Sequence, residues 1–275
     1  MSGTVPLVMG VVNVTPDSFS DGGRFLDHGA AVAHGLTLVD EGASMIDVGG
    51  ESTRPGAEPV SVAEELRRVL PVVVGLAPHV RVSIDTRHAE VAASAIAEGA
   101  TLVNDVSATL ADVAAAGGPG VGFVAVHMLG DPSVMQRGPR YDDVVGEVRD
   151  FLVDRATAAR AAGVEEIWID PGIGFGKTTA HNLALLARLD ELVATGFDVV
   201  VGTSRKRFLG ELAADPPPGG AAAAVAPPVG DRLEGSLATA TWAMWQGATM
   251  IRAHDVRATV HAAQVVAGSI PTPAS

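Results

Sequence analysis

The stretch Asp170-Pro171-Gly172-Ile173-Gly174-Phe175-Gly176-Lys177 decides the fold. It follows the apolar run Ile167-Trp168-Ile169, which reads as a buried strand, and precedes a helical pattern that starts near Thr179. A carboxylate therefore stands where a buried strand ends, with a glycine-rich turn behind it. In parallel α/β folds that edge is where ligands bind. The glycines let the backbone approach a flat ligand closely, and Phe175 offers a ring to stack on it.

Working outward, the same unit recurs along the chain. Strands are expected at 6–12, 44–48, 80–84, 100–103, 121–126, 166–169, 198–202 and 249–252. Helices are expected at 28–42, 61–77, 88–98, 109–116, 142–162, 179–195, 231–246 and 255–268. Such strand-then-helix units, about 30 residues each, predict a (β/α)8 TIM barrel of the α/β class, with its site at the C-terminal ends of the strands. The competitor, a doubly wound open sheet, usually has fewer strands, and no G-x-G-x-x-G turn follows the first strand here. Ser61 with Glu64 makes a capping box, and Gly42, Gly99, Gly163 and Gly196 stand where helices close before strands. We expect one domain over residues 1–275. Residues 215–230, rich in Pro, Gly and Ala, cannot bury a core and are expected to form a mobile insertion before the seventh helix.

Composition narrows the possibilities. The chain is 47% hydrophobic but only 4% aromatic, so its core must be built from Val, Leu, Ile and Ala. Long β-branched runs suit strands buried on both faces. A net charge of −13 argues against a general nucleic-acid or anionic-membrane binder, which needs a basic surface. With no cysteine there is no disulfide, no thiolate metal site and no Cys nucleophile. Met1 to Pro6 lacks the order of a signal peptide, and no apolar run reaches the ~18–20 residues of a membrane span. A cytoplasmic protein without nucleic-acid or membrane partners is expected.

A polar residue stands at each strand's C-terminal end: Asn13, Asp47, Asp85, Asn104 with Asp105, His127, Asp170, then Ser204-Arg205-Lys206, then Arg252 and His254. Taken singly, each has a plain structural explanation. Asp or Asn after a strand often forms a turn or caps a helix, and a single His is usually a hydrogen-bonded structural residue. In a barrel, however, all these ends converge on one face. Asp85, Asn104 and Asp170 suit a flat heterocycle with several N–H donors, because a carboxylate accepts two such bonds side by side. Arg54, Arg252 and His254 suit phosphate, and Lys206 could serve either group. Asn13 could offer an oxygen to Mg²⁺, with waters and phosphates as further ligands. The implied ligand is a polar ring joined to an anionic group. Two long polar loops, 13–23 and 49–56, have the composition of lids.

Motifs spread along the chain carry a resemblance: N-V-T-P-D-S-F-S-D-G-G from Asn13, D-V-G-G-E-S-T-R-P-G from Asp47, S-I-D-T from Ser83, V-N-D-V-S from Val103, I-D-P-G-I-G-F-G-K from Ile169, G-T-S-R-K-R-F-L-G from Gly202 and I-R-A-H-D-V from Ile251. Together, in this order, they resemble the dihydropteroate synthase family of pterin-binding enzymes, from about Met9 to Val266. The resemblance implies condensation of 6-hydroxymethyl-7,8-dihydropterin diphosphate with p-aminobenzoate by an SN1-like substitution, giving 7,8-dihydropteroate and diphosphate. It implies a pterin pocket of Asp85, Asn104, Asp170 and Lys206, lined by Val106, Phe175 and Gly202. It places Arg54, Arg252 and His254 at the diphosphate, and Asn13 at Mg²⁺. Around p-aminobenzoate it places Phe19, Thr53, Pro55, Phe175, Lys206 and Arg207. A homodimer is implied as well, with Trp242 and Trp245 either as interface anchors or packed between helices and barrel. The first loop has the form of sulfonamide-sensitive members. Two positions depart from the family pattern: Val126 where Met is common, and Ala108 where Gly is usual. The alternatives are a silent pterin-binding paralogue and a pterin-dependent methyltransferase. Neither needs the full cation set with two closing loops.

Overall fold

The computed structural model describes residues 5–15, 27–52, 59–130, 135–136, 138–214 and 226–268. Phe19, Thr53, Arg54 and Pro55 lie outside these residues, as does the 215–225 part of the expected insertion.

The eight strands are β1 (Leu7–Asn13), β2 (Met45–Gly49), β3 (Arg81–Asp85), β4 (Leu102–Asp105), β5 (Gly122–Val126), β6 (Ile167–Asp170), β7 (Asp198–Val201) and β8 (Met250–Ala253). They pair in chain order, all parallel, and close into a barrel where Leu7 meets Met250. The helices are α1 (His28–Asp40), α2 (Val62–Leu76), α3 (Ala89–Ala97), α4 (Ala111–Ala116), α5 (Val144–Ala161), α6 (Thr179–Ala187), α7 (Asp190–Val193), α8 (Arg207–Leu212), α9 (Leu233–Trp245) and α10 (Val256–Val266). The TIM barrel expected from the spacing is thus the fold observed. Two details differ. The helix expected over 179–195 breaks at Arg188, which leaves the helical region at φ −117°, ψ 33°. The short α8 escaped the periodicity because its six residues span less than two turns and include Gly210.

Strand side chains alternate between two cores. Val8, Ile46, Val82, Val103, Phe123, Ile169, Val201 and Ile251 face outward into the layer shared with the helices. Met9, Met45, Leu102, Val124, Trp168, Val200 and Met250 face inward and fill the barrel's interior. Moving two residues up four of the strands, the inward position changes from apolar to polar: Met45 to Asp47, Leu102 to Asn104, Trp168 to Asp170, Met250 to Arg252. This change divides an apolar plug below from a polar mouth above.

Candidate active site

The mouth is organised around Arg252. Its Nε donates to Asp47 Oδ2 at 2.6 Å and its Nη2 to Asp85 Oδ2 at 2.8 Å. Asn104 Nδ2 donates to the same Asp47 oxygen at 3.1 Å. Asp47 is fully buried, and a carboxylate there requires a cation beside it. Its other oxygen and the Ser83 hydroxyl, at the same level on the neighbouring strand, are buried without a hydrogen-bond partner among the described residues. Burial pushes Asp85 up to about 7 against the pull of Arg252. Burial also works against the charge of Arg252, but Asp47 and Asp85 outweigh it and hold the guanidinium above its ordinary value. Asp47 was visible in the sequence as a strand-end residue, without a role. Counting two positions up from Met45 assigns it to the mouth.

Across the mouth, Asp170 ends β6 and accepts the Gly172 N–H at 2.7 Å. Burial raises its carboxyl, and Lys206 opposes the shift. Lys206 Nζ donates to the Ile173 carbonyl and lies 4.4 Å from the centre of the Phe175 ring, a cation–π contact. Burial lowers its ammonium to about 8, with Asp170 pulling the other way. Phe175 and Val106 pack against the apolar plug. Gly202 also faces inward. A Cβ there would meet only Arg252, at an ordinary 3.6 Å, so nothing in the protein itself demands the missing side chain.

The glycine-rich turn is packed tightly against the backbone beside it. Gly172 and Gly176 have φ of +62° each, and a Cβ on them would come within 1.8 Å of the His127 carbonyl and 2.5 Å of the Leu129 carbonyl. These two glycines make a close approach to neighbouring backbone. Lys177 ties the arrangement from inside. It is 3% exposed and offers its ammonium to the carbonyls of Gly172 at 3.0 Å, Phe175 at 3.1 Å and His127 at 3.3 Å, and to His127 Nδ1 at 2.9 Å. Burial drives its pKa well below the ordinary lysine value.

Two strand-end residues do not join the mouth. Asp105 and His127 stand on the outward parity of their strands. Asp105 accepts the backbone N–H groups of Ser107, Thr109 and Leu110 at 2.8, 2.6 and 2.8 Å, and so shapes the turn after β4. His127 packs edge-on against Phe151, and burial followed by Lys177 lowers its pKa to about 3, keeping it neutral.

At the entrance, Ser204 Oγ and His254 Nδ1 are 3.0 Å apart. Arg205, at φ +57°, pairs with Asp255 at 2.5 Å, and its amide donates to Ser236 Oγ at 3.0 Å. Arg207 is largely exposed on α8 and pairs along the helix with Glu211 at 2.7 Å. Asn13 ends β1, half-buried and level with Gly49.

Comparison with known proteins agrees with this fold. Residues 9–254 match the pterin binding enzyme family. The dihydropteroate synthase of Mycobacterium leprae is 50% identical over 266 residues, covering 94% of this chain and 92% of that protein. The structure of Xanthomonas albilineans dihydropteroate synthase with 4-aminobenzoic acid superposes with a TM-score of 0.83 at 46% identity, covering 97% of this chain and 94% of the other. The same enzyme in complex with 7,8-dihydropteroate gives a TM-score of 0.80 at 44% identity, covering 97% and 95%. By sequence and by fold alike, the chain belongs to the pterin binding enzyme family, among its dihydropteroate synthases.

Proposed function

We propose that the chain joins 6-hydroxymethyl-7,8-dihydropterin diphosphate to p-aminobenzoate, releasing diphosphate and 7,8-dihydropteroate. The observation that carries this is the convergence of Asp85, Asn104, Asp170, Lys206 and Arg252 above one apolar plug. A reduced pterin presents N–H donors at its amino group and ring nitrogens. Asp85, Asn104 and Asp170 accept them, Lys206 donates to a ring acceptor, and Val106, Phe175 and Gly202 give the ring a flat slot.

The reaction then runs by dissociation. The methylene C–O bond breaks with its electron pair leaving on the diphosphate, and positive charge spreads from the methylene carbon into the electron-rich ring. Asp85 and Asp170 stabilise that charge, and Arg252, His254 and Arg54 receive the departing anion. Only two of the five N–H donors of Arg252 are committed to Asp47 and Asp85, so others remain for phosphate. The amine lone pair of p-aminobenzoate closes the C–N bond and the nitrogen sheds its proton. In this reading that second substrate meets Phe175, Lys206 and Arg207, and the resemblance assigns Phe19, Thr53 and Pro55, which lie outside the described residues, to it as well.

Asn13 fits a Mg²⁺ ion carried by substrate. It offers one hard oxygen at the end of β1, and phosphates and water would complete the shell. When bound, the ion offsets charge on the diphosphate.

The working unit in this reading is a cytoplasmic homodimer. Trp245 on α9 is 72% exposed and does not pack between helices and barrel, which favours its role as an interface anchor. Among the described residues, no helix is long and apolar enough to cross a membrane.

The test is incubation with both substrates, with Mg²⁺ and again with EDTA. Mg²⁺-dependent release of diphosphate with dihydropteroate formed is expected. Binding of the pterin diphosphate without turnover would mean a silent paralogue, and methyl transfer from a methylated folate would mean the other alternative.

A further inference from the structure

Away from the mouth, metal-ligating side chains from separate elements meet at the root of the second loop. Glu51 follows the end of β2, Glu65 sits in the first turn of α2, and His88 precedes α3. One ligand atom from each lies within 4.8 Å of the others. The packing is close: a Cβ on Gly50 would come within 3.0 Å of Glu65 Cγ. Arg68 Nη1 closes the same corner by donating to the Gly50 carbonyl at 2.9 Å.

Glu65 is completely buried, yet only one of its oxygens is paired. Oε2 meets His88 Nδ1 at 2.6 Å, while Oε1 has no hydrogen-bond partner among the described residues. A buried carboxylate needs a cation or a full set of donors. Glu51 brings a second carboxylate to the same place. Its oxygens accept Arg87 Nε at 3.0 Å and Nη2 at 3.1 Å from one side.

We propose that Glu51, Glu65 and His88 form a binding site for a divalent cation of the zinc class. One imidazole nitrogen with carboxylate oxygens suits Zn²⁺ or Co²⁺, whereas Mg²⁺ takes oxygen ligands. Metal–ligand bonds of about 2.0–2.2 Å bring donor atoms to roughly 3.3 Å from one another. The His88–Glu65 contact therefore opens slightly, and Glu51 closes in as Arg87 yields one bond. The ion ties the end of β2 to α2 and to the start of α3, and so fixes the base from which the second loop springs.

Titration of the metal-stripped full chain with Co²⁺, followed by visible absorption, tests the site. One Co²⁺ per chain is expected, displaced by Zn²⁺, with a raised melting midpoint in the Zn²⁺-loaded protein. His88→Ala, whose side chain is half-buried, is expected to fold, to bind at least about tenfold more weakly and to lose the melting shift. Glu51→Gln is expected to show the same loss, and Asn13→Ala is expected to bind Co²⁺ as the parent does. No absorbance with the parent chain, or an undiminished affinity in both His88→Ala and Glu51→Gln, overturns the proposal.

Discussion

Arg252 reaches over strand β1 to Asp47, and the 2.6 Å ion pair between them joins two strands that do not touch each other in the sheet. The same guanidinium holds Asp85, so one cation serves two acids that stand on neighbouring strands. Replacing Arg252 thus removes more than the phosphate contact proposed for it. Arg252→Ala leaves both carboxylates without a counterion and is expected to cost about 3–5 kcal/mol of stability, read from urea unfolding, with turnover lost. Arg252→Lys keeps the charge but not the fork, and is expected to regain most of the stability and little of the activity. A stable, active Arg252→Ala protein would refute this placement.

The pH profile should be narrow. Asp85 must be ionised to accept ring N–H groups, and its carboxyl is raised to about 7, so kcat/KM falls as pH drops through that value. Lys206 must be charged to donate, and its ammonium is lowered to about 8, so kcat/KM falls as pH rises through that value. A bell with its top between the two limbs is expected from steady-state assays. A flat profile from pH 6 to 9 would remove one or both groups from the free-enzyme chemistry.

Ala108 has φ +52°, a left-handed conformation in which its Cβ is strained, and it closes the turn that Asp105 organises. Ala108→Gly is expected to stabilise the protein by about 1 kcal/mol, raising the melting midpoint by roughly 2–4 °C. Scanning calorimetry decides it, and an unchanged or lower midpoint counts against the strain.

Two inward or close-packed glycines should behave oppositely. A methyl on Gly172 would lie 1.8 Å from the His127 carbonyl, so Gly172→Ala is expected to lose more than about 3 kcal/mol or fail to fold. A methyl on Gly202 meets only ordinary contacts at 3.6 Å. Gly202→Ala should melt normally while binding the pterin substrate about tenfold or more weakly, because the ring slot is narrowed. Normal binding by Gly202→Ala would mean the ring lies elsewhere.

Trp242 is half-exposed with its indole N–H held by the Leu186 carbonyl at 2.8 Å, and Trp245 lies one turn further along α9. Trp245→Asp is expected to convert a dimer to a monomer in light scattering. A dimer that survives the change would place the interface on another face.

Much of the mouth was legible from the strand ends, which converge on one face of a barrel and brought Asp85, Asn104, Asp170 and Arg252 together. Each also stands two residues past an inward position. The same count also separates Asp105 and His127, which share a strand end with the site but point to the helices. Spacing does not encode how groups are shared. That Arg252 would serve Asp47 and Asp85 at once, or that Lys177 would be surrounded by carbonyls, depends on distances across the barrel and on turns built from left-handed glycines. Helix α8 was missed because so short an element leaves no periodicity to read.

The plug of Met9, Met45, Leu102, Trp168 and Met250 makes the barrel a blind well. Among the described residues the plug closes the lower end, so in the proposed reaction both substrates and both products share one opening. Whatever lies deepest must arrive first and leave after anything bound above it. In the proposed reaction the ring compound is therefore expected to precede the arylamine, and an arylamine analogue to bind tightly only once the well is already filled.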